Sequence, residues 1–311
     1  MKQISQTEAG INKRLTRRGG SAQDVLACFR EKGDQFNAVN VATMVSQLTK
    51  KPGGAEALRR DTQLAGRVAQ MVVAKVGDMG SQALANTVHG WAKLGLPGSG
   101  VFEAVADKAG PLLGQFTPQA IANTVWAFAT AGVAAPAVFK ALFGAAFAMP
   151  VERFTTGNLT QLWQAVLFVR HEAPDASIPV PDAALEARLR SAMADSGERP
   201  SDSQRAVSAA LRRIGWAHEF EHRTAEGLSL DMAQPGNKVC VEFDGPSHFL
   251  TTAQSPQQSL VPDGSTQFST RLLRALGWTV VRVPFWEWDP LWHNEPAQDA
   301  YLRAKLPVLL N

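Results

Sequence analysis

The feature that most constrains the fold of this chain is an internal repeat at an offset of 37 residues. Residues 78–96 read DMGSQALANTVHGWAKLGL and residues 115–133 read QFTPQAIANTVWAFATAGV, and the two share 8 of 19 positions. Weaker copies begin at Gln35 and Arg153, so the repeated region covers residues 35–171. Repeats of this length are typical of arrays in which each supersecondary unit stacks on the next.

Each repeat is predicted to be a pair of helices. Apolar residues recur at helical spacing, as Leu84, Val88 and Trp91 do in one central copy. Gly95 and Gly132 follow the last apolar positions, where glycine commonly ends a helix. Because one helical pair cannot bury its apolar face alone, neighbouring pairs must cover it. The sequence therefore predicts an N-terminal α-solenoid of helical-pair repeats, about three to four in number.

Opposite the apolar face, the second helix of each repeat carries a polar and aromatic row. At about 100° per residue, its members in the central copies are Asn86, His89 and Lys93, then Asn123, Trp126 and Thr130. In one interpretation the amide edges and the Trp126 indole read single-stranded RNA bases. In the other, the Asn side chains bond neighbouring backbone groups and Trp126 packs between repeats.

The run PQAIANTVWA, which begins at Pro118, and its counterpart in residues 81–92 resemble octotricopeptide repeats. The resemblance covers residues 35–171 and is strongest in the two central copies. It implies that the array binds RNA. Bacterial members of this family are similar to type III effectors delivered into plant cells, which would make the N-terminal segment a delivery signal.

Two segments flank the repeats. Residues 172–200 concentrate Pro, Asp, Ser and Ala around one helix, expected at 181–194, and are predicted to be a linker or capping helix. Residues 1–34 are expected to be a basic, disordered tail. Its basic cluster consists of Lys13, Arg14, Arg17 and Arg18. This tail is either a targeting signal or a solvated arm that meets phosphates.

Composition narrows the functional classes. The formal net charge is +3, and residues 201–311 hold 10 Lys and Arg against 12 Asp and Glu, which argues against a strong non-specific electrostatic binder of nucleic acid. The apolar runs are too short to span a bilayer. Cys28 and Cys240 form neither a disulfide framework nor a metal-binding cluster. We expect a cytoplasmic monomer with RNA, and in one alternative a protein, as its partner.

From residue 201 onward the pattern changes to a small α/β domain, with helix, three strands, helix, strand and helix in order. In the strand KVCVEFDG, alternation places Val239 and Val241 on one face and Glu242 and Asp244 on the other. Asp231 belongs to the preceding strand, so three carboxylates are expected to meet near one end of the sheet.

Asp231, Glu242, Asp244 and His248 are therefore the candidate catalytic set. Carboxylates suit Mg²⁺ or Mn²⁺, and such an ion can activate water for phosphodiester cleavage. The three acids would hold the metal while His248 positions a water or a leaving oxygen. The alternative is that the acids are salt-bridged to arginines of the same domain.

The arginines of the second predicted helix and the last strand have two possible roles. Arg271 and Arg274 are candidates for binding RNA phosphates. Together with Arg282 they are also positioned in the sequence to pair with the acids. On a domain with a slight acidic excess, both interpretations stay open.

Residues 201–307 resemble the RAP domain through LDMA, VEFDGPSHF, RLLRALGWTVVRVPFWEWD and YLRAKL. RAP domains look like the PD-(D/E)xK and very-short-patch-repair nuclease fold, which implies a restriction-endonuclease-like domain. The resemblance makes Asp231 the first acid and Glu242 the second. Asp244 stands where many such nucleases have Lys, and this removes the positive charge that helps to hold the attacking water. His248 matches the His of the short-patch-repair branch.

The sequence thus leads to one principal hypothesis and two alternatives. In the principal hypothesis the repeats select single-stranded RNA and the RAP domain docks on it, for RNA processing, stability or translation control. The first alternative is a metal-dependent endoribonuclease. The second is a protein-interaction scaffold, because helical arrays often serve that purpose.

Overall fold

The computed structural model describes residues 6–96, 100–195, 200–250 and 260–306. The N-terminal helices are α1 (Gln6–Leu15), α2 (Ala22–Lys32), α3 (Ala38–Lys50), α4 (Gly54–Arg60), α5 (Thr62–Val76), α6 (Ser81–Lys93), α7 (Val101–Ala109), α8 (Pro118–Ala131), α9 (Pro136–Phe147), α10 (Thr156–His171) and α11 (Ala183–Asp195). The C-terminal elements are α12 (Asp202–Arg213), β1 (Glu219–Arg223), β2 (Ser229–Gln234), β3 (Val239–Asp244), α13 (Gly264–Ala275), β4 (Thr279–Pro284), α14 (Phe285–Trp288) and α15 (Glu295–Lys305).

The N-terminal helices pack in two layers. Helices α3, α6, α8 and α10 lie side by side in one layer, and α5, α7 and α9 follow one another in the other. Leu84, Val88 and Trp91 are fully buried between them, as their spacing predicts. The Thr117 hydroxyl caps the start of α8, and Gly132 ends it with φ 70°, a left-handed conformation that glycine adopts without strain. The chain is therefore helix-rich up to the start of a small sheet domain.

The expectation of a disordered N-terminal tail is wrong for the residues that the structure describes. Residues 6–32 form α1 and α2, and both helices pack against α3. Ile11, Leu15 and Phe29 are buried there, although basic residues crowd the same segment. These apolar side chains cover the outer face of α3, which would otherwise lie open at the end of the helical layer.

The C-terminal part contains a four-stranded sheet with the order β1-β2-β3-β4. The first three strands are antiparallel, and β4 runs parallel to β3 after crossing over through α13. Met232 pairs with Val241, so their side chains share one face, which α12 and α15 cover with Leu211 and Leu302. The predicted order of helices and strands along the chain and the alternation in β3 agree with this arrangement.

The other face of the sheet is joined to the helical region through α13. Phe268 and Leu272 of α13, with Cys240 of β3, belong to the same apolar core as the helical layers. Where α13 begins, a Cβ on Gly264 would lie 2.1 Å from the Ala92 carbonyl oxygen, so only glycine permits this approach. The helical region and the sheet domain therefore share one apolar core across the predicted domain boundary, and each covers apolar side chains of the other.

The predicted linker is also packed in its helical portion. Helix α11 lies against α10 with Leu189 and Ala192 buried. Arg170 of α10 forms an ion pair with Glu186 of α11. Residues 183–195 therefore form a helix that packs against α10. Within the described part of the chain, no helix combines the length and the apolar character needed to cross a membrane.

Candidate functional site

Strands β2 and β3 separate at one end of the sheet, and side chains replace the ladder hydrogen bonds there. The Asp231 carboxylate accepts from the Phe243 amide at 2.8 Å and from the Gln204 side chain at 2.8 Å. The Asp231 amide in turn donates to the Glu242 carboxylate at 3.2 Å. The two acids thus hold the strands apart and form the floor of an open cleft.

The third acid has a different environment. Asp244 is 1% exposed, and its Oδ1 contacts Arg282 Nη1 at 2.5 Å and His248 Nδ1 at 2.7 Å. Arg282 also donates to the Thr270 hydroxyl at 2.7 Å. Because a buried carboxylate needs charge partners, these contacts fix both β4 and the turn at residues 246–248. Arg282 therefore forms an ion pair with an acid of the cluster, as one of the two interpretations of the arginines predicted.

Burial sets the protonation of this cluster. It raises the pKa of Asp231, and it raises the pKa of Glu242 well above its usual value, with the Asp231 charge adding to the effect. Burial, followed by the Asp231 charge, also raises the pKa of Glu221. The hydrogen bond to Asp244 raises the pKa of His248, which favours its cationic form. The cleft floor therefore favours a neutral Glu242 next to Asp231, with the cationic form of His248 favoured at its edge.

The acids of the predicted three-carboxylate metal site already have partners within the protein. Asp244 is committed to Arg282 and His248, while Asp231 is committed to the Phe243 amide and Gln204. Among the described residues, no group of three or more His, Cys, Asp and Glu side chains is arranged to hold a metal ion. The alternation of β3 correctly places Glu242 and Asp244 on one face. Binding of Mg²⁺ by all three carboxylates would require Asp244 to leave Arg282 and His248.

The cleft above these acids has a volume of about 490 Å³. Its polar lining comes from α12, the ends of β1 to β3 and the turn after β3, and includes Ser201, Ser203, Gln204, Glu221, Arg223, Ser229, Asp231, Glu242 and His248. We call this space the RAP cleft, because Glu242 and His248 in its lining lie in the VEFDGPSHF run that resembles the RAP domain. Gln204 and Glu221 were not anticipated from the sequence. Gln204 serves both in the capping box of α12 and on Asp231, and only the capping spacing is visible locally.

In the helical layer, the two asparagines of the polar row line the same depression. Asn86 is exposed and Asn123 is 8% exposed, and both line a depression of about 420 Å³ at the N-terminal ends of α6, α8 and α10. Gln119 and Arg153 also line it. We call it the asparagine depression. Its amide edges remain candidates for reading bases.

The centre of the row is closed, contrary to the expectation of an exposed stacking surface. Trp126 is 5% exposed, and its indole donates to Gln164 at 2.7 Å. His89 lies on one side of the indole at 4.9 Å between ring centroids, and Phe268 of α13 lies on another at 6.4 Å. His89 also contacts Gln161 at 3.3 Å. Two neighbouring helices and the sheet domain therefore cover these aromatic faces.

Some of the basic residues predicted to bind RNA are exposed, and one is enclosed by contacts within the protein. Lys93 and Arg274 are exposed. Arg271 instead donates to the carbonyl oxygens of Ala129 and Thr130 at 2.6 and 2.8 Å and to Glu172 at 2.9 Å. It therefore closes the C-terminal end of α8 and ties the sheet domain to the helices, rather than presenting a free guanidinium.

Comparisons with known proteins identify the C-terminal part of the chain. Residues 241–305 match the family model described as "RAP domain", so β3 and the elements after it carry a RAP domain. The chain is 27% identical over 146 residues to a "RAP domain-containing protein, chloroplastic" from Oryza sativa subsp. japonica. That alignment covers 45% of this chain and 22% of the rice protein, so this chain matches about a fifth of its relative's length.

Proposed function

We propose that this chain is an RNA-binding protein whose helical pairs form an octotricopeptide-like solenoid that selects single-stranded RNA, while the RAP domain docks on it. The RAP-domain match and the distant rice relative support a role connected with RNA. In this proposal the amides that line the asparagine depression read bases, and the bound RNA is processed, stabilised or translated under the protein's control.

The observation that carries the proposal is the state of the RAP cleft. Its acids are engaged within the protein rather than arranged around a cation: Asp231 accepts from Gln204 and the Phe243 amide, and burial raises the pKa of Glu242 well above its usual value, which favours a neutral Glu242 carboxyl. A neutral carboxyl both donates and accepts hydrogen bonds, as base edges and ribose hydroxyls require. The cationic His248 at the rim adds attraction for a phosphate.

The same observation separates docking from cleavage. In the predicted metal site Asp231, Glu242 and Asp244 share one ion that activates water, whereas in the structure Asp244 is already paired with Arg282. We therefore propose that the RAP domain docks on RNA without cutting it. The protein-scaffold alternative, in which the chain is an effector without an RNA ligand, is an outcome of the experiment below.

The test measures binding of a randomised single-stranded RNA pool, about 16 nucleotides long, by fluorescence anisotropy in EDTA and in Mg²⁺. We expect binding in both buffers and recovery of uncut RNA. Replacing His248 with Asn should weaken binding by about 1–3 kcal/mol, because a charged hydrogen-bonding group is lost from the rim.

The matched control is His293→Asn, the same substitution in the same domain. His293 is exposed, does not line the RAP cleft, and has φ 62°, which Asn tolerates well. It should leave affinity unchanged. RNA cut only in Mg²⁺ would establish the nuclease alternative, and absence of RNA binding even at low salt would favour the scaffold.

A further inference from the structure

A second cleft, of about 370 Å³, lies where the helical layer meets the sheet domain. One wall is formed by the C-terminal ends of α3 and α6, with Lys50 and Lys93, and by Lys51 just after α3. The other wall is the turn after β3, with Pro246 and Ser247. We call this space the lysine cleft. Residues from two distant parts of the sequence meet across it.

The two exposed lysines occupy equivalent positions in successive repeats. Lys50 and Lys93 are the last residues of α3 and α6, so both ammonium groups lie at the same edge of the helical layer. Within the described part of the chain, neither has an ion pair with a carboxylate. Lys51 donates to the Gly20 carbonyl, and this hydrogen bond keeps the Lys51 ammonium group at the same edge. Three ammonium groups are thus collected in a chain whose net charge is only +3.

The cleft contains little negative charge to balance these lysines. Asp263 is the acid in its lining, and its two carboxylate oxygens accept from the Thr266 amide and the Ser265 hydroxyl, both at 2.7 Å, where α13 begins. Close by, the Arg59 guanidinium donates to the Gly95 carbonyl and has a buried Nε without a hydrogen-bond partner. The lysine cleft is therefore a concave site with a cationic excess, and it suits an anionic ligand.

The lysine cleft and the RAP cleft share a wall. Pro246 and Ser247 line both, and the next residue, His248, lines the RAP cleft with its raised pKa. On α6, Asn86 and Lys93 lie seven residues apart on one face, so the asparagine depression and the lysine cleft lie along the same helix. Polar and cationic groups thus continue from the helical layer to the RAP domain.

We propose that the lysine cleft holds the phosphodiester backbone of single-stranded RNA as the strand passes from the helical layer to the RAP cleft. This inference rests on the proposed function and adds the path of the strand and the groups that bind its phosphates. Lys50 and Lys93 contact phosphate oxygens, and they do so without reading sequence. The bases remain free for the asparagine depression on one side and the RAP cleft on the other.

A purely structural role for these lysines makes a different prediction. A cation in the last turn of a helix stabilises the helix through its dipole, whether or not a ligand is present. Such a role affects thermal stability and leaves the salt dependence of RNA binding unchanged. Phosphate contacts, by contrast, release counterions and steepen that dependence.

The experiment compares wild type with a double variant that carries both Lys50→Gln and Lys93→Gln. It uses the full chain and the same randomised RNA pool. Affinity is measured by anisotropy over a series of salt concentrations. Each phosphate contact to a single strand adds about 0.7 to the slope of log affinity against log salt. We therefore expect a slope shallower by about 1.4 in the double variant, together with weaker binding at low salt.

The matched control is Lys75→Gln with Lys140→Gln, which removes the same charge from α5 and α9 in the other helical layer. This variant should keep nearly the wild-type slope. The inference is overturned if wild type binds RNA and the Lys50 and Lys93 variant binds with an unchanged slope, or if both double variants lower the slope equally. Failure of wild type itself to bind RNA would instead contradict the proposed function.

Discussion

The polar row of the helical layer and the acid cluster of the sheet look equally functional in the sequence, but their surroundings differ. In the row, Trp126 and His89 are enclosed by Gln161, Gln164 and Phe268. In the sheet, Asp231 and Glu242 are satisfied from one side and still face an open cleft. Polar residues on a shared face therefore indicate a site only when nothing else in the fold covers that face.

The difference has a simple physical origin. The indole of Trp126 is large and apolar with a single donor, so packing and one hydrogen bond satisfy it completely. Carboxyl groups are costly to bury, and their partial burial at the cleft raises the pKa values of Asp231 and Glu242. The centre of the row has become part of the core that joins helices and sheet, whereas Asp231 and Glu242 still line a cleft. Each prediction below tests one side of this contrast.

The largest effect is expected from Trp126→Ala. Removing a nearly buried indole and its bond to Gln164 should lower the free energy of unfolding by about 4 kcal/mol. Denaturant unfolding measures this change. Asn86→Ala, at an exposed position of the same row, should stay within about 0.5 kcal/mol. Equal, small effects from both substitutions would mean that Trp126 is free to stack on a ligand.

The next effect concerns the buried ion pair of the sheet. Arg282→Ala leaves Asp244 with His248 as its remaining charge partner, and should cost about 3 kcal/mol of unfolding free energy. Adding Asp244→Asn to Arg282→Met should recover much of the loss, because no uncompensated charge then remains buried. If the double variant were no better than Arg282→Ala, the cost would come from packing rather than from charge.

Opposite pH dependences should distinguish the two regions. Burial, with some contribution from Lys93, lowers the pKa of His89 to about 4, so its neutral form stabilises the fold above the ordinary value near 6.5. That stability, on the order of 3 kcal/mol at about 1.4 kcal/mol per pKa unit, is lost as pH falls from about 6.5 towards 4. His89→Gln should remove this loss in thermal melts across that range.

Glu242 should behave in the opposite sense. The pKa of Glu242 is raised in the folded state. Its contribution to the free energy of unfolding is therefore complete at pH values below the pKa of the unfolded state, and it is lost as pH rises through the pKa of the folded state. The melting temperature of Glu242→Gln minus that of wild type should therefore increase as pH increases. A gain that grew towards acidic pH would show that Glu242 is ionised and paired in the fold.

The smallest expected effect is that of divalent metal. Mn²⁺ should leave the melting temperature of the full chain unchanged, because Asp244 is committed to Arg282 and His248. For comparison, an ion present at 100 times its Kd would add about 2.7 kcal/mol. A clear upward shift that disappears in Asp231→Asn with Glu242→Gln would restore the metal-site interpretation.

Periodicity predicted much of the fold. The offset of 37 residues placed α6 and α8 at equivalent positions, and alternation placed Glu242 and Asp244 on one face of β3. These patterns succeed because each depends on one element and its nearest neighbours. The helices α1 and α2 were not predicted, because the prediction relied on the basic residues of this segment. Its apolar residues at helical spacing, such as Ile11 and Leu15, indicate a helix.

The remainder depends on contacts between distant segments, which local patterns do not contain. Gln204 reaches Asp231 across 27 residues, and Arg282 reaches Asp244 across 38. Phe268 covers Trp126 from another part of the chain. The geometry of 100° per residue correctly grouped Asn86, His89 and Lys93 on one face, but the sequence does not show that the middle of this face is covered.

Photo-crosslinking is the most direct test of the claim that RNA meets the lysine cleft and the RAP cleft rather than the closed centre of the polar row. The full chain would be irradiated with a randomised RNA pool that contains 4-thiouridine, and the crosslinked peptides mapped by mass spectrometry. We predict crosslinks in the segments around residues 48–53 and 245–250, and none at His89 or Trp126. Crosslinks at Trp126 without any in the two clefts would contradict the account, because RNA would then reach a surface that α13 covers.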